Sequence, residues 1–124
     1  AKRPDYASNM IEPTYPYGMA VEVFSVGALN DAHAESIDPV EREHVTPFIY
    51  RRPERYMLES VKLPKDFSSY RCTVDTPEDY DVVSRMFEAL YPQNPAFTTA
   101  DMIALLDQNP AWRDINSHVK QVKV

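Results

Sequence analysis

One short run, residues 73–80 (Thr-Val-Asp-Thr-Pro-Glu-Asp-Tyr), constrains the fold more than any other part of the chain. It joins a β-type segment to an amphipathic segment. Thr76 is a good N-cap, Pro77 favours the first helical turn, and Asp79 occupies the position where a capping box places an acid. Asp75 falls at the carboxyl end of the predicted strand, where open α/β sheets place ligand-binding residues. The run therefore predicts a strand, a turn and a capped helix, with Asp75 at the joint.

The acidic residues of this run allow two interpretations. Asp75 could hold a divalent cation, or it could be an ordinary turn residue, since Asp is common in turns. For Glu78 and Asp79 the pattern favours a structural role, because acids in a first turn interact favourably with the helix dipole. Asp75 lies outside the cap, so helix capping does not account for an aspartate at this position.

Arg71 precedes Asp75 by four residues, so in a strand the two side chains would point to the same face. An arginine in that position could bind a phosphate or a carboxylate bidentately. A salt bridge to a neighbouring acid is an equally good interpretation, because a charged pair at this spacing does not by itself distinguish a ligand-binding arginine from a structural one.

The rest of the chain alternates strand-like and helix-like patterns, which indicates an α/β class. Strands are predicted over residues 5–9, 19–24, 56–63 and 70–74, and helices over 26–35, 39–45, 77–91, from 98 onwards and at 110. Ser25 and Asp38 are the predicted N-caps of the first two helices, and Thr98 with Asp101 forms a predicted capping box. Helix 77–91 is predicted to bury a stripe formed by Tyr80, Val83, Phe87, Leu90 and Tyr91. Residues 116–124 are predicted to be a polar tail.

The run Glu41-Arg42-Glu43-His44 is a second candidate site on a predicted helix. It lacks the H-E-x-x-H spacing of a zinc helix. Glu41 and His44 would be neighbours on the helix and could bind sugar hydroxyls, but the pattern favours a solvated polar face. In the strand over 19–24, Glu22 is predicted to face away from the valines on either side of it.

Composition excludes several classes of protein. A formal net charge of −6 and a pI near 5.0 argue against a nucleic-acid binder, which needs a basic surface. The single cysteine, Cys72, permits no internal disulfide and no zinc cluster, and it suits a reducing cytoplasm. We expect Cys72 to be buried and inert. No run approaches the ~20 apolar residues of a membrane span.

The chain contains only two glycines, compared with eleven prolines, so it has no glycine-rich loop that could bind phosphates. Any activity on a nucleotide would have to borrow that loop from elsewhere. The chain also begins without an initiator Met. We therefore interpret residues 1–124 as a single domain or half-domain of something longer. A sheet cut open in this way would expose edge strands, so we expect self-association.

Six runs of this chain together resemble the cytidylyltransferase-like family known from spore coat polysaccharide biosynthesis. They are residues 5–9 (Asp-Tyr-Ala-Ser-Asn), 12–16 (Glu-Pro-Thr-Tyr-Pro), 18–25 (Gly-Met-Ala-Val-Glu-Val-Phe-Ser), 41–50 (Glu-Arg-Glu-His-Val-Thr-Pro-Phe-Ile-Tyr), 71–80 (Arg-Cys-Thr-Val-Asp-Thr-Pro-Glu-Asp-Tyr) and 115–120 (Ile-Asn-Ser-His-Val-Lys).

The resemblance implies the C-terminal part of a Rossmann-like, glycosyltransferase-A-type nucleotidyltransferase fold with a mixed sheet. It implies transfer of CMP from CTP to a sugar or sugar acid with release of pyrophosphate, dependent on Mg²⁺, in a cytoplasmic homo-oligomer. The family's glycine- and arginine-containing nucleotide loop is missing from these residues. We therefore expect the chain alone to be inactive. A non-catalytic binding or dimerisation module on the same fold is the alternative.

The resemblance also assigns candidate site residues. Asp75 matches the motif aspartate that holds the catalytic magnesium in related synthetases. Glu22, Glu43 and His44 lie in segments where those relatives build the sugar-acid pocket and the dimer contact. Arg71 matches the family's Arg-x-Thr-Val-Asp run and joins them as a substrate-binding candidate.

Overall fold

The computed structural model describes residues 2–121 of the chain, which divide into two compact units. Within the described residues, the first unit comprises 2–13 and 20–63, and the second comprises 14–19 and 64–121. The interpretation of residues 1–124 as one domain or half-domain stays a prediction. No helix of the described residues is long and apolar enough to cross a membrane.

A three-stranded mixed sheet forms the centre of the first unit. Its strands are β1 (Tyr6–Ser8), β2 (Glu22–Phe24) and β3 (Leu58–Ser60), in the order β2-β1-β3. β1 pairs antiparallel with β2 and parallel with β3. The strands are shorter than the sequence predicts. Just before β2 a side chain takes the place of a backbone partner, since the Val21 amide donates to Oδ1 of Asn9 at 2.9 Å.

Three helices complete the first unit: α1 (Val26–Glu35), α2 (Pro39–His44) and α3 (Pro47–Tyr50). α1 and α2 begin at the predicted caps, because Oγ of Ser25 accepts the Ala28 amide at 3.1 Å and Oδ1 of Asp38 accepts the Val40 amide at 2.7 Å. The core of this unit is aromatic and aliphatic, and its buried members are Tyr6, Ala28, Ala32, Phe48, Ile49 and Tyr56.

The second unit contains α4 (Pro77–Leu90), α5 (Thr99–Gln108) and α6 (Pro110–Asn116). Both longer helices begin with a complete capping box, Thr76 with Asp79 on α4 and Thr98 with Asp101 on α5, as predicted. α4 packs against both α5 and α6. The buried apolar residues between them are Cys72, Val82, Met86, Met102 and Leu106.

The predicted strand over residues 70–74 is wrong. Residues 70–74 form only an isolated parallel bridge, between Arg71 and Tyr17. The Tyr17 amide donates to the Tyr70 carbonyl, and the Tyr17 carbonyl accepts the Cys72 amide, both at 2.7 Å. Pairing stops there because Gly18 follows with φ +101°, which turns the chain away. A Cβ on Gly18 would lie 2.6 Å from the Cys72 carbonyl oxygen, so only glycine allows this close approach.

The predicted buried face of the helix over 77–91 is also wrong in part. α4 buries Asp79, Val82 and Met86, whereas Tyr80 and Phe87 are 67% and 48% exposed. The predicted buried stripe contains no charged residue. Asp79 is instead buried against polar partners. The face that α4 buries is therefore displaced from the predicted face by about one residue, or ~100° around the helix axis.

The predicted polar tail begins too early. Asn116 is the last residue of α6 and is only 2% exposed. Residues 117–121 form no helix or strand, and the remainder of the predicted tail lies outside the described residues.

Candidate functional site

Asp79 is the centre of a polar network at the start of α4, and its side chain is fully buried. Its amide donates to Oγ1 of Thr76 at 3.2 Å, and its Oδ2 accepts the Thr76 amide at 3.1 Å, which completes the capping box. Oδ2 also accepts the Asp75 amide at 3.0 Å. The Asp79 carboxylate therefore fixes the backbone that carries Asp75.

Arg71 supplies the counter-charge for Asp79. Its Nε and Nη2 donate to the two oxygens of Asp79, each at 2.8 Å, in a bidentate pair. Nη2 also donates to Oδ2 of Asp75 at 3.2 Å, and Nη1 donates to Oε1 of Gln121 at 3.1 Å. The guanidinium lies over the ring of Tyr17 and is only 10% exposed. Arg71 thus touches both aspartates while its charge is balanced by the buried one.

Asn116 closes the network from α6. Its Nδ2 donates to Oδ1 of Asp79 at 2.9 Å and to the Arg71 carbonyl at 3.3 Å. Because Asp79 accepts hydrogen bonds on both oxygens, its position and charge are determined by several partners at once.

Hydrogen bonding from Arg71 holds the pKa of Asp79 well below its usual range. Burial acts in the opposite direction, but it is outweighed by Arg71 together with the Asp75 amide and the Asn116 side chain. The same pair raises the pKa of Arg71. Asp79 therefore remains an anion at any physiological pH.

Asp75 is the accessible carboxylate of this site, with its side chain 52% exposed. Its Oδ2 faces Arg71, and its Oδ1 has no hydrogen-bond partner among residues 2–121. Carboxylate oxygens are the ligands that Mg²⁺ prefers, and Mg²⁺ is commonly bound through one or two carboxylates plus substrate phosphates and water. The described part of the chain contains no group of three or more His, Cys, Asp or Glu side chains that could by themselves hold a metal ion. Asp75 fits the role of one ligand in a shared site.

The other predicted substrate-binding residues lie in the first unit. Glu22 is exposed on β2, where its carboxylate contributes to the raised pKa of Tyr6, about 12, of which burial is the main cause. Glu43 and His44 are exposed at the end of α2, with Nε2 of His44 3.9 Å from Oε2 of Glu43. Their role in binding stays a prediction.

The solvated face predicted for α2 is wrong at Glu41. It is 6% exposed, and its carboxylate accepts from Nη1 of Arg52 at 2.8 Å and from Oγ of Ser36 at 3.3 Å. The pairing holds Glu41 in the interior of the unit. Its carboxylate is committed to these partners and not to the predicted pair with His44.

Sequence reasoning found the cap role of Asp79 but not its position at the centre of a network. It missed Asn116 altogether, because the contact with Asp79 spans 37 residues and no local pattern reports it. Cys72 is buried as predicted, and burial raises its pKa to about 11, which keeps it a thiol.

Comparison with known proteins places this chain in a family. No protein-family model matches the chain. Over 98 residues, 77% of the chain, it is 30% identical to the spore coat polysaccharide biosynthesis protein SpsF of Bacillus subtilis. A cytidylyltransferase from Leptospira borgpetersenii superposes on 96% of the chain with a TM-score of 0.82 and 25% identity. The chain belongs to the cytidylyltransferase-type family.

The α/β fold with a mixed sheet is the fold of that structural neighbour, as predicted. An uncharacterised protein of Methanocaldococcus jannaschii, MJ1063, is 31% identical over 84% of the chain. The chain spans 40% and 43% of the two curated relatives and 48% of the cytidylyltransferase. It therefore corresponds to somewhat less than half of such a protein.

Proposed function

We propose that this chain is the C-terminal, metal-ligand part of a cytidylyltransferase that transfers CMP from CTP to a sugar or sugar acid and releases pyrophosphate. The observation that carries the proposal is the Asp75 carboxylate. It is half-exposed, oriented by Arg71 and fixed at the start of α4 by Asp79. The match to a solved cytidylyltransferase over almost the whole chain supports it. A role in surface polysaccharide synthesis follows from the likeness to SpsF.

Magnesium, when bound, neutralises phosphate charge and orients the nucleotide for in-line displacement. In this proposal Asp75 supplies one oxygen ligand, and substrate phosphates and residues outside this chain supply the others. Asp79 keeps the carboxylate of Asp75 at a fixed place through the backbone amide. Arg71 restrains its Oδ2 without cancelling its charge, because the charge of Arg71 is already paired with Asp79.

Arg71 is expected to act on substrate through Asp75, since its Nε, Nη1 and Nη2 all donate to side chains of the chain itself. Glu22, Glu43 and His44 are proposed to bind the sugar, for which exposed carboxylates and an imidazole offer acceptors and donors to hydroxyls. CTP, the sugar and a second copy of the chain are the proposed partners, and the cytoplasm is the proposed location.

The test uses the protein as its gene encodes it, with Asp75→Asn as the variant and Asp81→Asn as the control. Asp81 is also an aspartate near the start of α4, but it pairs with Arg85 on the helix surface. Pyrophosphate release would be measured with CTP, Mg²⁺ and a panel of sugars and sugar acids. We expect Asp75→Asn to lower kcat by about 100-fold or more, as loss of a charge-stabilising group does, and Asp81→Asn to leave it unchanged.

Equal activity of Asp75→Asn and wild type would overturn the proposed role of Asp75. Absence of CTP-dependent pyrophosphate release across the whole panel would favour the alternative, a binding or dimerisation module that has kept the fold. We also expect the 124-residue chain alone to form no CMP-sugar, and product formation by it would contradict that expectation.

A further inference from the structure

The second unit also contains a cavity beside the Arg71 network. The cavity, of about 240 Å³, opens between the loop at residues 69–71 and helices α4, α5 and α6. Apolar and polar side chains share its lining, among them Tyr70, Val82, Leu106, Arg113, Asn116 and Ser117. A cavity of this size, below the ~300 Å³ of common drug-sized sites, suits a small ligand.

Arg113 is one of two arginines that line this cavity, and within residues 2–121 it lacks the acidic partner that the comparable arginines have. Three arginines of residues 2–121 are half-buried: Arg52, Arg71 and Arg113. Arg52 pairs with Glu41 and Arg71 pairs with Asp79, each at 2.8 Å. Arg113 forms no salt bridge within the described part of the chain. A half-buried cation without a counter-ion in this part of the chain is free to pair with an anionic ligand.

The guanidinium of Arg113 is held by stacking. Its central carbon lies 3.7 Å from the centroid of the Tyr70 ring, and the Tyr70 hydroxyl is tied to Asp107. Stacking restrains the plane of a guanidinium and leaves its N–H edge available. In that state it matches the two oxygens of a carboxylate or a phosphate bidentately.

The charges around the cavity favour a singly charged ligand. Arg71 also lines the cavity, but its charge is balanced by Asp79. Asp114 lies at the rim and is exposed, so it repels multiply charged anions more strongly than monoanions. The apolar walls of Tyr70, Val82 and Leu106 would accept the carbon skeleton of an organic acid.

We propose that Arg113 and the cavity beside it bind the oxyanion group of a small ligand, with an organic monocarboxylate preferred over inorganic phosphate. The site shares no ligand-binding atom with Asp75. It therefore stands whether or not the proposed metal role of Asp75 is correct.

The chain carries its own probe of the site, because its single tryptophan, Trp112, immediately precedes Arg113. Butyrate and inorganic phosphate would be titrated separately at constant ionic strength against the protein as its gene encodes it. Amide and indole NMR shifts would report the response of α6. We expect saturable shifts with butyrate, confined to residues around the cavity, and a response to phosphate at least about threefold weaker, because of Asp114.

Arg113→Gln should weaken butyrate binding about tenfold or more, which is the scale of a lost charge-assisted bidentate contact. Arg51→Gln, at an exposed arginine of the first unit, is the control for the loss of one positive charge and should bind as wild type does. Tyr70→Phe keeps the stacking ring and should retain binding. Asp75→Asn should also retain it, which separates this site from the proposed function.

Absence of a saturable response to either anion would overturn the proposal. So would an Arg113→Gln protein that is folded by its NMR spectrum and binds butyrate as tightly as wild type. Phosphate binding more tightly than butyrate would overturn the stated preference for a carboxylate.

Discussion

At the scale of single residues, the two capping boxes of the second unit show how differently one motif is used. Asp79 and Asp101 occupy the same position of their helices. Asp101 is exposed and, among residues 2–121, bonds only Thr98, whereas Asp79 is buried and accepts from Arg71 and Asn116 as well. The cap is a local feature of both, but only the buried residue organises a tertiary network.

Asp79→Asn should therefore destabilise the fold by about 3–5 kcal/mol, because it leaves Arg71 buried without its counter-charge. Asp101→Asn, the matched change on α5, should cost much less, since its carboxylate is in water. Urea unfolding followed by circular dichroism measures both. Equal losses for the two variants would contradict a special role for the buried pair.

The acid dependence of stability should also depend on Asp79. Its pKa is lowered on folding, from the ~3.9 of a free Asp. Its contribution to stability is therefore fully present above pH ~4 and is lost as pH falls from there towards the folded pKa. The difference in unfolding free energy between wild type and Asp79→Asn should shrink between pH 5 and pH 2. A difference that stays constant over that range would show that Asp79 is not held as an anion.

Gly18 and Gly27 make a second matched pair. A Cβ on Gly18 would meet the Cys72 carbonyl, at a backbone angle that other residues rarely adopt. Gly27 lies in α1, where a Cβ would have ordinary space. We expect Gly18→Ala to destabilise by more than about 1 kcal/mol and Gly27→Ala to stabilise by about 0.4–1 kcal/mol. Thermal unfolding of both variants tests the pair, and a stable Gly18→Ala protein would contradict the close approach.

At the scale of elements, α4 shows why a hydrophobic pattern can give the right helix and the wrong face. The aromatic residues at Tyr80, Phe87 and Tyr91 have helical spacing, yet each is at least 48% exposed. The helix buries Val82 and Met86 against α5 and α6, because these residues share a face with Asp79, which is buried by its pairing with Arg71.

Truncation should reveal which face of α4 is inside. Met86→Ala removes a side chain with no exposure and should cost about 2–5 kcal/mol. Tyr80→Ala removes a larger side chain that is 67% exposed, and it should change stability by no more than about 0.5 kcal/mol. Chemical denaturation of the two variants decides between the faces. A larger loss for Tyr80→Ala would restore the face predicted from the sequence.

At the scale of the whole molecule, the sheet of the first unit bears on the predicted self-association. Its order β2-β1-β3 leaves β2 and β3 as edges within the described residues. Val23 on β2 is 65% exposed, so this edge presents an apolar side chain to solvent.

We expect the chain to self-associate, and we expect Val23→Lys to weaken that association by placing a charge on the edge strand. Sedimentation velocity over a range of concentrations measures both. Glu59→Gln, on the opposite edge strand β3, makes the same +1 change in net charge and is the control, which should associate as wild type does. A monodisperse wild-type monomer at all concentrations would contradict the expectation.

The sequence by itself determined the features that depend on neighbours a few residues apart. The caps at Ser25, Asp38, Thr76 and Thr98 satisfy amides two or three residues downstream, so their patterns predict where α1, α2, α4 and α5 begin. Residue patterns also gave the α/β class, and the quoted runs gave the family. Asp75 was placed correctly just before the capped helix for the same local reason.

Only the tertiary structure decided which of these local elements face inward and what they bind. The hydrogen bonds of Asn116 span 37 residues to Asp79 and 45 to Arg71. Glu41 is buried by Arg52, which lies beyond the end of its helix. Whether a charged residue is buried depends on the partner that the fold brings to it, because an isolated charge stays in water and a paired one need not. That pairing is a property of the assembled units, and the local sequence does not contain it.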